Sequence, residues 1–319
     1  MRKFAFPHTW DIDPDSYINY LSKYKENIDN IYFGLPTNLN IINLHVNKFV
    51  ESPNVLSKAD SHVIRLLEKS YGVFKRVALY NPAIFSKTNE ELKQNAEKNI
   101  IPFLKKYQVE ALVITHFYIA QIIKEAIPEI EIQTSCNSYQ FTIPQMLLWK
   151  RELGVELFNP PREVLRMPSL LKQMKAAGLK VKGIVNQACL MGCPFTILDG
   201  ALTVQGGRDE TFSCHLNKPE NFFKGNFIIP RWLPKLDEFV HVYKIVGRGA
   251  PFHLLANIFE SYLRLRDQLS VNSLVLYSGT TSRHKEVLAS NIPDKLLTCE
   301  CLKCDNCNVC STLAIQYLK

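Results

Sequence analysis

The chain has 319 residues, 46% of them hydrophobic and 21% charged, with nine cysteines and a formal net charge of +8. The hydrophobic share supplies a large core and the modest charge excludes long disordered regions, while so few cysteines in so long a chain exclude a small secreted disulfide scaffold. The scattered lysines permit an RNA, phosphate or carboxylate partner without demanding one. There is no apolar run of the ~18 residues that span a membrane. The opening MRKFAFPHTWD lacks the apolar stretch of a signal peptide. A cytoplasmic, reducing setting is expected, with thiols free to bind metal.

The first strand is expected at KFAFPH, around residue 5, ending at His8. Asp13 and Pro14 introduce a helix over 15–24. NIYFGLP, around residue 33, is the second strand, followed by a long mixed stretch over 38–56 that reads as an elaborated loop before a helix. RVALYNP gives the third strand, ending at Asn81, and a helix runs from Glu90 to Tyr107. ALVITHF gives the fourth, ending at His116, with a helix over 119–126. IEIQTSCN gives the fifth, ending at Cys136 and Asn137, with a helix over 144–153. VELFNPP gives the sixth, ending at Asn159, with Glu163 just beyond and a helix over 169–177. VKGIVNQ gives the seventh, ending at Asn186 and Gln187. The segment 190–236 carries the turn pair Gly206-Gly207 and no helical periodicity, and reads as an insertion over the mouth of the sheet. VYKIVGR gives the eighth strand, with Lys244 and Arg248, before a helix over 254–269.

Eight strands alternating with helices predict a parallel sheet closed into a TIM-type (β/α)8 barrel over 1–285, in preference to a doubly wound open sheet, with a cysteine-rich C-terminal extension over 286–319. In such a barrel chemistry sits at the carboxyl ends of the strands. The residues expected there are polar and rich in amides, and Asn137 and Asn186 among them suit hydrogen bonding to a polar substrate. Strand ends are also polar simply because they meet turns. Lys244 and Arg248, beside Gly247 and Gly249, suit a phosphate or carboxylate, or else a surface ion pair. Glu163 is a candidate acid, base or partner to one of them. His8 and His116 are the candidates for proton transfer. His45, His62, His241, His253 and His284 stand in no metal-type spacing, while His215, next to Cys214, could ligate or support a cluster.

Two groups of cysteines stand out. Cys189 and Cys193 form a Cys-x3-Cys pair in NQACLMGCPF, with Cys214 further on. Thiolates at such a spacing can share an iron-sulfur cluster or a zinc, or the three can be small buried hydrophobes. The tail LTCECLKCDNCNVC holds Cys299, Cys301, Cys304, Cys307 and Cys310. Four of these could hold a zinc or a second cluster while the fifth reaches back to the first centre.

The stretch GNFIIPRWLPKLDEFVHVYKIVGRGAPFHLLANIFESYLR resembles the signature of the collagenase-like peptidase U32 family. Pro230, Lys244, Ile245, Gly247, Arg248, Tyr262 and Arg264 stand at the matching positions, and Val246 stands where the family often has an acidic residue. NIYFGLP is similar to the family's second strand, and IQTSCNSYQFTIPQMLLWKRELGVELFNPPREV follows its central pattern. VNQACLMGCP stands where the family carries its first cluster cysteines. The resemblance covers most of 1–270 in pieces. It implies a TIM barrel with a [4Fe-4S] cluster on four cysteines, Cys189, Cys193 and Cys214 among them. The spacing departs from the family's, and Cys136 or a tail cysteine is left as the fourth ligand. It implies a redox modification such as oxygen-independent hydroxylation of an RNA base or a small aromatic or anionic substrate, with an electron donor or a hetero-oligomeric partner. A peptidase, or a non-catalytic iron-sulfur subunit, is the alternative. Neither G-x-S-x-G nor H-E-x-x-H occurs, so a peptidase would turn to the thiol of Cys136.

Overall fold

Eight parallel strands alternate with helices in a computed structural model that describes residues 1–36, 53–82, 85, 87–187, 189–193, 195–197, 219–248, 250–275, 286–298 and 307–318. The strands are β1 (Phe4–Pro7), β2 (Ile28–Gly34), β3 (Lys75–Tyr80), β4 (Ala111–Ile114), β5 (Glu131–Thr134), β6 (Leu157–Phe158), β7 (Lys180–Ile184) and β8 (Val240–Lys244). They lie in the order β5-β4-β3-β2-β1-β8-β7-β6, every pairing parallel. The two outer strands of that order meet through side chains. The Asn159 amide donates to the Thr134 carbonyl at 2.7 Å, and the Asn159 backbone N–H donates to Thr134 Oγ1 at 3.1 Å. The result is the nearly closed TIM-type barrel that the alternation predicts, not a doubly wound open sheet.

Both faces of the strands are buried, which is why they appear in the sequence as near-continuous apolar runs. Phe4, Phe6, Ile31, Phe33, Leu112 and Ile114 face outward into the layer packed by helices. Ala5, Tyr32, Val77, Leu79, Val113 and Val242 alternate with them and fill the lumen. The helices are α1 (Pro14–Ser22), α2 (Pro53–Ser70), α3 (89–106), α4 (Phe117–Ala126), α5 (Ile143–Leu153) and α6 (Pro168–Ala176), then the single turns α7 (Pro219–Phe222) and α8 (Leu233–Leu236), and α9 (Phe252–Leu263), followed by a short helical stretch at Val271–Val275.

Local chemistry sets their ends. The Asp13 side chain accepts from Ser16 N–H to start α1, and Thr88 and Glu91 form a capping box at the start of α3. Gly154, at φ +65°, ends α5. Within α3 the turn Ala96–Ile100 is a π turn, with Ile101 N–H reaching back to Ala96 O. Pro102 explains it: its ring lacks an N–H and crowds the preceding turn, and widening that turn relieves the clash.

Two expectations are corrected. The segment 190–236 is not free of helix, since it contains α7 and α8. The helix expected to reach 269 stops at Leu263, because Leu265 turns to φ +55°. Most of the stretch 38–56 lies outside the described residues, and α2 opens at its far end.

The described part of the C-terminal extension shares the apolar core of the barrel through Val287, Ala289, Ile292, Leu296, Leu313 and Ala314. The helix α10 (Val309–Tyr317) packs on α7. Arg166, fully buried, donates to the carbonyls of Gly225 and Leu296 and so joins the turn after β6 to both segments. Among the described residues no helix is long and apolar enough to cross a membrane.

Candidate functional site

Lys244 ends β8 with its side chain inside the barrel, 5% exposed. Its Nζ lies 4.5 Å from the centroid of the Tyr32 ring, and it has no hydrogen bond or ion pair with any described residue. The Tyr32 hydroxyl is engaged elsewhere, donating to Ile245 O at 2.5 Å. Burial brings the Lys244 ammonium down to about 8, against the opposing pull of Cys136 and with the help of Arg248. Arg248 lies beside it, above Gly34 at the end of β2. A side chain at Gly34 would place Cβ 2.8 Å from Arg248 Nη1, so the missing side chain is what seats the guanidinium. Arg248 likewise has no hydrogen bond or ion pair with a described residue.

One layer deeper, Lys182 on β7 donates to Gln133 Oε1 at 3.1 Å, and Gln133 donates on to Glu131 Oε1 at 2.7 Å. Glu131 is also paired with Lys75. Burial, then the charge of Lys244, takes Lys182 down to about 7.

Two thiols follow the ends of β5 and β7. Cys136 opens the turn Cys136–Ser138 after β5, and its thiol donates to Asn137 Oδ1 at 3.6 Å. Cys189, beyond β7, accepts at Sγ from Arg162 Nη1 at 3.3 Å and from Gln187 Nε2 at 3.5 Å. Arg162 stands on the 3-10 turn Arg162–Arg166, and its Nε is buried without an acceptor. Burial pulls the Arg162 guanidinium down, but the sulfurs of Cys189 and Cys136 outweigh it and hold it above its ordinary value. Tyr139, with Arg162 and Glu163 both close enough to act on it, is pushed up to about 12 by burial. The turn from Cys189 to Cys193 is pinned by Asn226 N–H on Cys189 O at 2.8 Å and Met191 N–H on Lys224 O at 3.0 Å.

Several residues expected in the mouth are held by the scaffold instead. The Asn186 amide both donates to Val246 O (2.9 Å) and accepts from Val246 N–H (2.7 Å), which makes it a strap between β7 and β8. Asn137 donates to Asn81 O at 2.9 Å and ties the turns after β3 and β5. His116 caps α4, its Nδ1 accepting from Ile119 N–H, and burial lowers its pKa. His8 does not stand alone: its Nε2 is 2.8 Å from His62 Nδ1, and His62 Nε2 is 2.6 Å from Ile12 O.

The sequence pattern did not single out Tyr32, Gly34, His62, Arg162 or Lys182. Arg162 adjoins Glu163 in the same motif, and the lysine in the middle of the strand run VKGIV is the signal that could have found Lys182.

Cys214, Cys299, Cys301 and Cys304 lie outside the described residues. Cys307 is half-buried and Cys310 buried on α10. Among the described residues no three His, Cys, Asp or Glu side chains gather as a metal-binding group. The chemistry around Cys189 nevertheless suits an anionic thiolate centre. Two N–H donors aim at its sulfur, and the nearby Arg162 Nε lacks an acceptor.

Fold and site define a class, a parallel (β/α)8 barrel with a cation-lined mouth facing two thiols. No protein-family model matches the chain. An uncharacterized protease of Methanocaldococcus jannaschii is 25% identical over 232 residues, which covers 68% of this chain and 68% of the relative. The solved structure of the U32 peptidase Mk0906 has the same fold, with a TM-score of 0.54 at 10% identity over 79% of this chain and 94% of that one. The chain is thus similar in sequence to the archaeal protein over about two thirds of each chain, and shares its fold with the solved barrel.

Proposed function

We propose that the chain is an enzyme that binds an anionic substrate across Lys244 and Arg248 and modifies it by redox chemistry. A [4Fe-4S] cluster on Cys189, Cys193, Cys214 and one further thiol would serve it. The observation that carries this reading is the pair of cations at one barrel mouth with no counter-anion among the described residues. Burying an unpaired ammonium costs several kcal/mol, and a carboxylate or phosphate entering the mouth supplies the missing acceptor. Arg248, seated by Gly34, orients that anion, and Lys244 donates to it from inside the barrel. Arg162 and Gln187 donate to the Cys189 sulfur, the arrangement that a cluster-bound sulfur would use. When bound, the cluster would supply one-electron transfer or Lewis acidity. The substrate classes that fit are an RNA base flanked by phosphate and a small aromatic or other anion, with a separate electron donor or partner subunit and a cytoplasmic setting. Four of the tail cysteines Cys299, Cys301, Cys304, Cys307 and Cys310 would hold zinc or a second cluster, and the fifth would reach back to the barrel centre.

The test is iron and sulfide analysis with an EPR spectrum on protein purified without oxygen. The expected result is about four irons per barrel centre, lost on Cys189→Ser. A colourless protein with stoichiometric zinc would reject the cluster. The names of the sequence relative and of the solved barrel favour a second reading, a peptidase with Cys136 as nucleophile, with Lys244 and Arg162 as the cations its sulfur acts on. Peptide cleavage that persists in air after cluster removal and disappears in Cys136→Ser would decide for it.

A further inference from the structure

An ammonium has three protons to donate. Lys244 is 5% exposed, and among the described residues it has no hydrogen bond or ion pair and lies against the face of Tyr32. The neutral amine loses far less on burial than the ammonium does. The charged and titratable groups around it are Arg248 at the rim, Lys182 below, Cys136 across the mouth and Tyr32 against it. Burial first, and then the charge of Arg248, disfavour a positive charge on Lys244, against the opposing pull of Cys136. With Lys244 held at about 8, roughly a quarter of the molecules carry a neutral amine at pH 7.5, against about one in a thousand for a free lysine. Lys182 is deeper and bonded to Gln133 Oε1, so it is not free to react.

We infer that Lys244 is a nucleophile that captures the carbonyl carbon of a 2-oxo acid as an imine, while Arg248 holds the carboxylate of the same molecule. The amine lone pair forms the C–N bond and the carbonyl π pair moves to oxygen. Nitrogen then loses a proton, the hydroxyl leaves as water, and C=N remains. Amine and carbonyl give imine and water, so no oxidant or reductant is consumed. Hydrolysis reverses the step.

This inference rests on the anion-binding reading of the mouth, and one experiment separates the two. The full chain is treated at pH 7.5 with glyoxylate and sodium cyanoborohydride, whose hydride converts an imine to a stable secondary amine, and the modified lysines are mapped by mass spectrometry. Lys244 should be labelled more than about tenfold faster than the exposed Lys69 and Lys235. Its labelling should fall about tenfold in Arg248→Gln. Because the labelling is read in the unaltered chain, it does not depend on whether a variant folds. Titration with oxalate, which has no carbonyl that the amine can capture under these conditions, reads anion binding separately. If oxalate binds and loses affinity in Arg248→Gln while Lys244 is labelled no faster than the exposed lysines, the imine is overturned and the anion site stands. If neither oxalate nor glyoxylate binds, both are overturned.

Discussion

The guanidinium of Arg248 occupies the space that a side chain at Gly34 would take. Gly34→Ala should therefore act on binding more than on stability. The clash is with the end of a flexible side chain, so unfolding should change by less than about 1 kcal/mol, while oxalate affinity falls about tenfold as the guanidinium shifts. Urea unfolding and calorimetric titration check the two halves. His62 has a comparable effect on His8. Ile12 O can only accept, so His62 donates to it from Nε2 and accepts at Nδ1, and His8 must donate from Nε2. Histidine 15N spectra should show His8 protonated at Nε2 alone, and this state should persist to pH 5, because burial, then His62 and Arg248, hold His8 down to about 3. The unfolded chain takes up that proton below about 6.5, so stability drawn from neutral His8 is present above 6.5 and is lost as pH falls toward 3. A His8 signal protonated at both nitrogens at pH 5 would contradict the geometry. The sequence did not reveal this pair, because 54 residues separate its members and a histidine on an amphipathic helix looks like any surface residue. Lys244 and Arg248 were legible because they flank one short strand.

The seam between β5 and β6 is closed by Thr134 and Asn159 rather than by a backbone ladder. Thr134→Val should lower stability by roughly 1–3 kcal/mol, since it leaves the Asn159 N–H without its acceptor. Urea midpoints read the loss, and faster amide exchange at Asn159 than at Val113 would locate it. All eight strands were legible in the sequence, since burial on both faces gives apolar runs that end at polar turns. The helix breaks were less so. Pro102 signals trouble inside α3, but whether a helix answers with a break, a kink or a π turn depends on what packs around it. The end of α9 is set by the backbone of Leu265, a residue type that gives no warning of positive φ. The single turns α7 and α8 are too short to establish a period.

At the scale of the whole molecule, the barrel lumen carries cations where hydrocarbon would be more stable. Lys182→Met combined with Gln133→Leu removes a buried charge together with its acceptor, and should raise stability by about 1–4 kcal/mol at neutral pH. The sign with pH follows from the lowered lysine. In the folded chain Lys182 titrates at about 7, below the 10.5 of an ordinary lysine. Its presence therefore weighs most against folding below pH 7, and the penalty fades as pH rises through that window. Urea unfolding at pH 6.5 and 9.5 should show the advantage of the double variant shrinking at the higher pH.

The turn Arg162–Arg166 has a guanidinium at each end. The first touches the sulfur of Cys189, and the second grips the carbonyls of Gly225 and Leu296. Five residues wound as a tight coil have little slack. A tug on the chain near Leu296, from a metal ion gathering the neighbouring cysteines or from a protein docking there, is therefore felt beside Cys189 at the other end of a single stiff lever.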